Sequence, residues 1–235
     1  MNYMDVYNSW LESPVVDSET KEELLSIKND DREIKERFYK DLEFGTAGLR
    51  GIIAAGSNRM NIYTVRKATQ GLCEDIINCG KDAVKAGVVI AYDCRHKSAL
   101  FAMESAKVIA ANGIKAYVFD ELRPTPELSF AVRHLKAARG IVITASHNPK
   151  QYNGYKAYGE DGGQLPPKSS DYVISVIEKT DIFNDVKVMD EQEARDKGLI
   201  VTIGEEVDKA YLEKVHEQSI NEESIKNLGE DFSII

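Results

Sequence analysis

The sequence predicts an α/β fold: a three-layer α/β/α domain with a mixed, largely parallel sheet, preceded by a helical N-terminal arm. Three short apolar segments rich in β-branched residues, at 87–92, 115–119 and 140–144, predict strands. Helix-like segments separate them, and this alternation favours parallel strands with helices on both faces. Such sheets usually bind ligands at the carboxyl ends of their strands, so the loops after the first and third strands are the places to look for a site.

The helical elements are predicted from apolar spacing and from residues that begin or end helices. In the arm, which we place at residues 1–41, Tyr7 and Trp10 lie at helical spacing. A helix is predicted from Asn61 to Asn78, ended by Gly80. Between the strands, Ser98 can N-cap one helix, and Thr125 followed by Pro126 can start another.

The third predicted strand is followed by turn residues and then by a charged region. Asn153-Gly154 predicts a turn, glycines at 159–163 predict a hairpin, and Pro166-Pro167 predicts the start of a helix. We place one domain at residues 42–180. Residues 181–235 are expected to be connecting helices and the truncated start of a second domain, whose first strand would include Phe232 to Ile235.

Composition limits the possible partners. The 235 residues carry a formal net charge of -9, which argues against a broad basic surface for nucleic acid or anionic membrane. The chain has no apolar run near the roughly 18–20 residues that span a bilayer, so we predict no membrane insertion and a cytoplasmic location. The three cysteines lack the spacing of a disulfide framework or a zinc site.

Ser146 is the strongest candidate for a reactive group. It follows the third predicted strand, and Pro149 stops regular structure soon after it. A turn at Asn153-Gly154 would bring Lys156 back to the same loop, where His147 also lies. An alcohol, an imidazole and an amine suit phosphoryl transfer. Cations attract the phosphate, and a proton-transfer group removes or returns the proton of the substrate hydroxyl.

The spacing alone leaves a second interpretation open, in which Ser146 only caps a turn and Lys156 is a solvated strand residue. A serine hydrolase is disfavoured, because the G-x-S-x-G pattern is absent around Ser146. Adjacent side chains diverge in an extended chain, so His147 is expected to be a poor general base for Ser146 itself.

Two further loops carry polar groups. In the segment from Gly45 to Gly51, glycines let backbone amides approach an anion, and Arg50 offers a fork of donors suited to phosphate. This segment matches neither the P-loop nor the dinucleotide pattern, and by itself it fits a tight turn equally well. Asp93 and Arg95 follow the first predicted strand and are expected to form an ion pair that shapes the neighbouring loop, without a direct catalytic role.

Taken together, the segments EFGTAGLRG, AYDCR and TASHNPKQYNGYKAYGEDGGQLPP resemble the first domain of the α-D-phosphohexomutase superfamily, in its phosphoglucomutase and phosphopentomutase-like branch. The resemblance extends from about residue 42 to the end of the chain. It implies a longer, four-domain enzyme, of which this chain would be an N-terminal fragment, and it implies the missing C-terminal domains as partners.

The resemblance also implies an activity and a set of site residues. Ser146 matches the family's phosphoserine, Lys156 matches a lysine near the reacting oxygens, and His147 and Arg50 match contacts to the phosphoserine loop and the substrate phosphate. The implied reaction interconverts glucose 1-phosphate and glucose 6-phosphate, with glucose 1,6-bisphosphate as intermediate and activator.

The implied cofactor is Mg2+, bound by the Ser146 phosphate and by three aspartates of a D-G-D-x-D-R motif. That motif does not occur in this sequence and is expected beyond Ile235. Phosphopentomutase or phosphomannomutase activity is an alternative. A non-catalytic module that binds sugar phosphate or a partner is an alternative of another class.

Overall fold

The computed structural model describes residues 2–228 and 232–233, and for Glu222 and Ile225 it describes the backbone alone. The helices are α1 (Tyr3–Glu12), α2 (Ser18–Ser26), α3 (Asp31–Phe38), α4 (Ile62–Asn78), α5 (Lys81–Ala86), α6 (Ser98–Ala111), α7 (Thr125–His134), α8 (Pro167–Ile177), α9 (Glu191–Asp196), α10 (Glu205–His216) and α11 (Glu222–Lys226). The strands are β1 (Gly48–Ile52), β2 (Val88–Tyr92), β3 (Ala116–Phe119), β4 (Arg139–Ile143), β5 (Tyr152–Tyr158) and β6 (Ile200–Ile203).

The strands form one mixed sheet in the order β1-β5-β4-β2-β3-β6. Strand β2 pairs in parallel with β3 and β4, and β3 pairs in parallel with β6. Strand β5 is antiparallel to both of its neighbours, β1 and β4. The mixed, largely parallel sheet that the sequence predicts is thus confirmed.

The two faces of the sheet are covered by different helices. Along β2, Val88 and Ile90 pack into a core with α4, α6 and α8, whereas Val89 and Ala91 pack into a second core with α7 and α10. Successive side chains of a strand point to opposite faces, so a strand buried on both sides reads as a continuous apolar run. This arrangement gives the three predicted layers.

The N-terminal arm consists of α1 to α3 and packs onto the domain through aromatic contacts. Trp10 is almost fully buried, at 1% exposure, and lies edge-to-face against Phe38 and against Tyr63 of α4, with the ring centroids of Trp10 and Tyr63 5.3 Å apart. The arm is therefore part of the folded body.

In the two helices between the strands, the residue expected at the N-cap is the first helical residue, and the N-cap is the residue before it. Ser98 is the first residue of α6, and the N-cap is Lys97, whose side chain makes no capping hydrogen bond. Thr125 is likewise the first residue of α7, with Pro124 as its N-cap. The hydroxyl of Ser98 instead donates to Asp93 Oδ1 at 2.7 Å, which ties the helix to the loop after β2.

The region after residue 181 differs from the expectation of connecting helices. It contains β6, which adds to the edge of the sheet beside β3, so the sheet continues past the predicted domain boundary. The strand is only four residues long and stands among charged residues, so its pattern is weak in the sequence. Phe232 and Ser233 lie in no helix or strand, and Ile234 and Ile235 fall outside the described residues.

Within the part of the chain that the structure describes, no helix combines the length and the apolar character needed to cross a membrane.

Candidate active site

Three of the four predicted site residues line one cleft. Strand β5 lies between β1 and β4, so Lys156 pairs with Gly48 on one side and with Val142 on the other. Arg50 lies on β1, and Ser146 follows the end of β4. All three side chains line a cleft of about 660 Å³.

The chain turns back towards this cleft earlier than the sequence suggests. Asn153 and Gly154 lie inside β5, so the prediction of a turn there is wrong. Asn153 is fully buried, and its amide donates to Ser98 Oγ and to the His96 carbonyl, which fixes it in the sheet. The turn occupies residues 146–151 instead, and the antiparallel direction of β5 brings Lys156 back to the cleft.

Ser146 is exposed and has a left-handed backbone, with φ at 57°. Its amide donates to Thr144 Oγ1 at 3.0 Å, which holds the start of the loop. The left-handed geometry also places His147 Nδ1 3.4 Å from Ser146 Oγ, so the two adjacent side chains do not diverge as they would in an extended chain. This distance is long for a hydrogen bond, and the contact is weak.

Arg50 and Lys156 keep most of their donors available. Arg50 is exposed and uses one hydrogen bond, from Nη1 to Asn148 Oδ1 at 3.2 Å. Lys156 is half-buried, and its side chain makes no hydrogen bond or ion pair with any residue of the described chain. A guanidinium offers five N–H donors and an ammonium three, so both cations can bind an anion that enters the cleft.

Arg95 contacts the serine loop more directly than the sequence indicates, because it binds three backbone carbonyls of the loop and one at the start of β5. Its Nη2 donates to the carbonyls of Ser146 and Asn148, each at 2.7 Å. Its Nη1 donates to the carbonyls of Pro149 and Tyr152, at 3.1 and 3.2 Å. Every residue has a backbone carbonyl, so the sequence does not indicate which carbonyls an arginine binds. These contacts could have been suggested only by the fact that β2 and β4 are neighbours in the sheet.

The expected ion pair beside the loop is also present. Arg95 Nε lies 3.4 Å from Asp93 Oδ2, and Asp93 Oδ1 accepts hydrogen bonds from the Arg95 amide and from Ser98 Oγ.

The match to known families agrees with this geometry. Residues 41–182 match the family model described as phosphoglucomutase/phosphomannomutase, alpha/beta/alpha domain I. The chain belongs to the phosphoglucomutase/phosphomannomutase family.

Relatives in this family are named for several sugar phosphates. The chain is 43% identical over 174 residues to a phosphoglucomutase of Staphylococcus saprophyticus, covering 74% of this chain and 31% of the relative. It is 40% identical over 186 residues to a probable phosphoribomutase of Schizosaccharomyces pombe, covering 78% of this chain and 31% of the relative. The chain thus spans about a third of the length of these relatives.

A solved structure shares the fold. The structure assigned to a phosphomannomutase from Thermus thermophilus has a TM-score of 0.62 to this chain at 29% identity, and the match covers 75% of this chain and 36% of that one.

The described part of this family member offers no complete metal site. Among the side chains that the structure describes, which exclude that of Glu222, no three His, Cys, Asp or Glu residues come together as a metal-binding group. Hard divalent cations need several oxygen ligands, and Ser146 supplies one hydroxyl. These residues alone therefore do not fit a magnesium ion.

Outside the cleft, a pair of neighbouring acidic side chains on α7 and α10 has altered pKa values. Burial raises the pKa of Glu127 on α7 to about 7, and the neighbouring Asp208 on α10 contributes to the increase. Arg123 donates to both oxygens of Asp208 at 2.7 Å and lowers the pKa of that carboxyl. The pair joins α7 to α10 and takes no part in the cleft.

Proposed function

We propose that this chain is the first domain of a longer phosphoglucomutase, which interconverts glucose 1-phosphate and glucose 6-phosphate. The observation that carries the proposal is the cleft itself: an exposed alcohol at a strand end, Ser146, shares it with two cations, Arg50 and Lys156, whose donors are largely unused. Membership in the family and the identity to a phosphoglucomutase support the same activity.

The reaction uses Ser146 as a phosphate carrier. Phosphorylated Ser146 gives its phosphoryl group to a hydroxyl of the sugar monophosphate, so the Ser146 Oγ–P bond breaks and a new O–P bond forms on the sugar. The sugar hydroxyl loses its proton in this step and the departing Ser146 Oγ gains one, so the products are glucose 1,6-bisphosphate and unphosphorylated serine. The reverse step, from the other end of the reoriented bisphosphate, returns a phosphoryl group to Ser146.

The remaining side chains stabilise charge and move the proton. Lys156, whose side chain lacks a protein partner in the described chain, lies where a cation stabilises the transferring phosphoryl oxygens. We assign it the proton transfer: its ammonium donates a proton to the departing Ser146 Oγ, and the resulting amine takes up the proton of the sugar hydroxyl. Arg50 binds, with its free donors, the phosphate that the sugar monophosphate already carries. His147 Nδ1, near Ser146 Oγ, contacts the phosphoserine.

We further propose Mg2+ as cofactor, with the Ser146 phosphate as one ligand and the other ligands beyond Ile235, and glucose 1,6-bisphosphate as activator. A cytoplasmic location stays our prediction. Because the described residues lack a complete magnesium site, the 235-residue chain alone is expected to show no mutase turnover.

Phosphorylation of Ser146 is the direct test. The longer protein is incubated with glucose 1,6-bisphosphate, and intact mass and peptide mapping then locate the phosphate. We expect one phosphate on Ser146 and almost no turnover in Ser146→Ala. Phosphate on Thr144, or on no residue, would refute the proposal.

A second substrate class is kept because of one observation, the 40% identity to the relative named as a probable phosphoribomutase. Comparing kcat/KM for glucose 1-phosphate, mannose 1-phosphate and ribose 1-phosphate decides between a phosphoglucomutase, a phosphomannomutase and a phosphopentomutase.

A further inference from the structure

We propose that Arg95 is a positioning residue, which holds the loop of Ser146 in the geometry required for phosphoryl transfer without contacting the substrate. The proposal rests on the proposed function, because it concerns the same serine. Its basis is a difference between the two arginines near the loop, Arg95 and Arg50.

Four of the five N–H donors of the Arg95 guanidinium are used within the protein. The four N–H groups on its two terminal nitrogens meet four backbone carbonyls, and Nε faces Asp93. A guanidinium has five N–H groups, and the fifth, on Nε, lies 3.4 Å from Asp93 Oδ2, whose carboxylate disfavours a phosphate there. Arg50 has one hydrogen bond and keeps the others free. The two arginines therefore have different tasks: Arg50 can bind an anion, and Arg95 shapes the loop.

The contacts of Arg95 bear directly on the reactive residue. A residue with a Cβ seldom adopts the left-handed backbone of Ser146, and such a conformation persists where the surroundings enforce it. The carbonyl of Ser146 and the carbonyl of Asn148 both accept from Arg95 Nη2, so the peptide units around the serine are fixed by one planar group.

Arg95 is itself held in place by Asp93. Asp93 Oδ1 accepts from the Arg95 amide and from Ser98 Oγ, and Ser98 Oγ in turn accepts from the side-chain amide of the fully buried Asn153. Through Asp93, the guanidinium is thus connected to Ser98 of α6 and to Asn153 of β5. Networks of this kind restrict a side chain to one position.

The test uses Arg95→Lys, which keeps the charge but replaces a planar fork with a single ammonium that cannot reach four carbonyls. Arg123→Lys is the matched control, because the side chains of Arg95 and Arg123 are both 14% exposed and each pairs with a partly buried aspartate. Asp93→Asn is a second variant, which keeps the guanidinium and weakens its support.

Two measurements follow. In the 235-residue chain, hydrogen exchange of the Asn148 and Tyr152 amides, which bond within the loop, should become at least about tenfold faster in Arg95→Lys and stay unchanged in Arg123→Lys. In the longer enzyme, kcat should fall at least about tenfold while KM changes by less than about twofold, because the lost interaction positions the serine and binds no substrate.

An unchanged exchange rate or an unchanged kcat in Arg95→Lys overturns the positioning role, and a change confined to KM shows a substrate contact instead. If Arg95→Lys does not fold, Asp93→Asn is judged by the same two criteria. A wild-type enzyme without mutase turnover refutes the proposed function, and the exchange rates then still decide whether Arg95 holds the loop.

Discussion

Replacing Gly154 with alanine should disturb the site through the backbone of the sheet. Gly154 lies on β5 between β1 and β4, and a Cβ there would lie 2.5 Å from the Thr144 carbonyl oxygen and 3.0 Å from the Leu49 carbonyl oxygen. An ordinary contact needs at least 3.4 Å, so the Thr144 carbonyl must retreat by roughly 0.9 Å. Thr144 precedes the Ser146 loop and Leu49 precedes Arg50, so the change separates the two sides of the cleft.

The magnitudes follow from that displacement. Overpacking of this size typically costs about 1–3 kcal/mol, and for a chain of this length that lowers Tm by about 2–12 °C. A displacement of about 1 Å at reacting groups can lower the rate on the order of a hundredfold. Thermal unfolding of the 235-residue chain and mutase kinetics of the longer enzyme measure the two effects.

Gly45→Ala is the matched control, because a Cβ at Gly45 would be 3.7 Å from its nearest neighbour, the Gly48 carbonyl oxygen, and its φ is not left-handed. It should not lower Tm and should raise it by at most about 4 °C, since Gly→Ala stabilises by about 0.4–1 kcal/mol where no clash occurs. If Gly154→Ala retained both the wild-type Tm and the wild-type rate, the close approach of the three strands would not constrain the site.

The other predictions concern charges and backbone conformation. Lys156→Ala and Arg50→Ala in the longer enzyme should each lower kcat/KM roughly ten- to a hundredfold, the value of a charge-assisted contact, with little change in Tm; normal rates at low substrate would contradict the assignment. Lys136→Gly should raise stability by about 1 kcal/mol in urea unfolding, because Lys136 has a φ of 53° just after α7. Glu127 ionises near pH 4.5 when unfolded and near pH 7 when folded, so its protonated form stabilises the fold below pH 4.5 and that contribution is lost as the pH rises to 7. Glu127→Gln should therefore be more stable than wild type at pH 8, by about 1–3 kcal/mol, and equal to it near pH 4; a constant difference across this range would contradict the raised pKa.

The sequence was most informative where burial alone determines structure. Strands β2, β3 and β4 are apolar on both faces, so they could be read without knowing their partners. Ser146 could be found because it follows such a strand and because the surrounding segment resembles a known family. The starts of α4, α6, α7 and α8 could be placed to within a residue from capping residues and prolines.

The remainder depends on contacts between distant segments. Strand β1 contains Gly48 and Gly51, and glycines weaken a strand pattern. The strand forms because it pairs with β5, whose backbone lies close to Gly48. The pair Asn153-Gly154 has the composition of a turn. In the structure, Asn153 is buried and hydrogen-bonded to Ser98, so pairing in the sheet overrides the local preference for a turn. The contact of Arg95 with four carbonyls likewise follows from tertiary structure, which no local pattern records.

The left-handed backbone at residue 146 also restricts which alcohol could carry the proposed phosphate. Threonine offers the same hydroxyl as serine, but a β-branched side chain is a pronounced outlier at positive φ. A threonine here would force the backbone away from this φ, and its hydroxyl would then no longer occupy the position of Ser146 Oγ. Two positions earlier, Thr144 is buried, and its hydroxyl oxygen accepts a hydrogen bond from the Ser146 amide. The shape of the backbone, and not the chemistry of phosphate esters, therefore selects serine over threonine at this position.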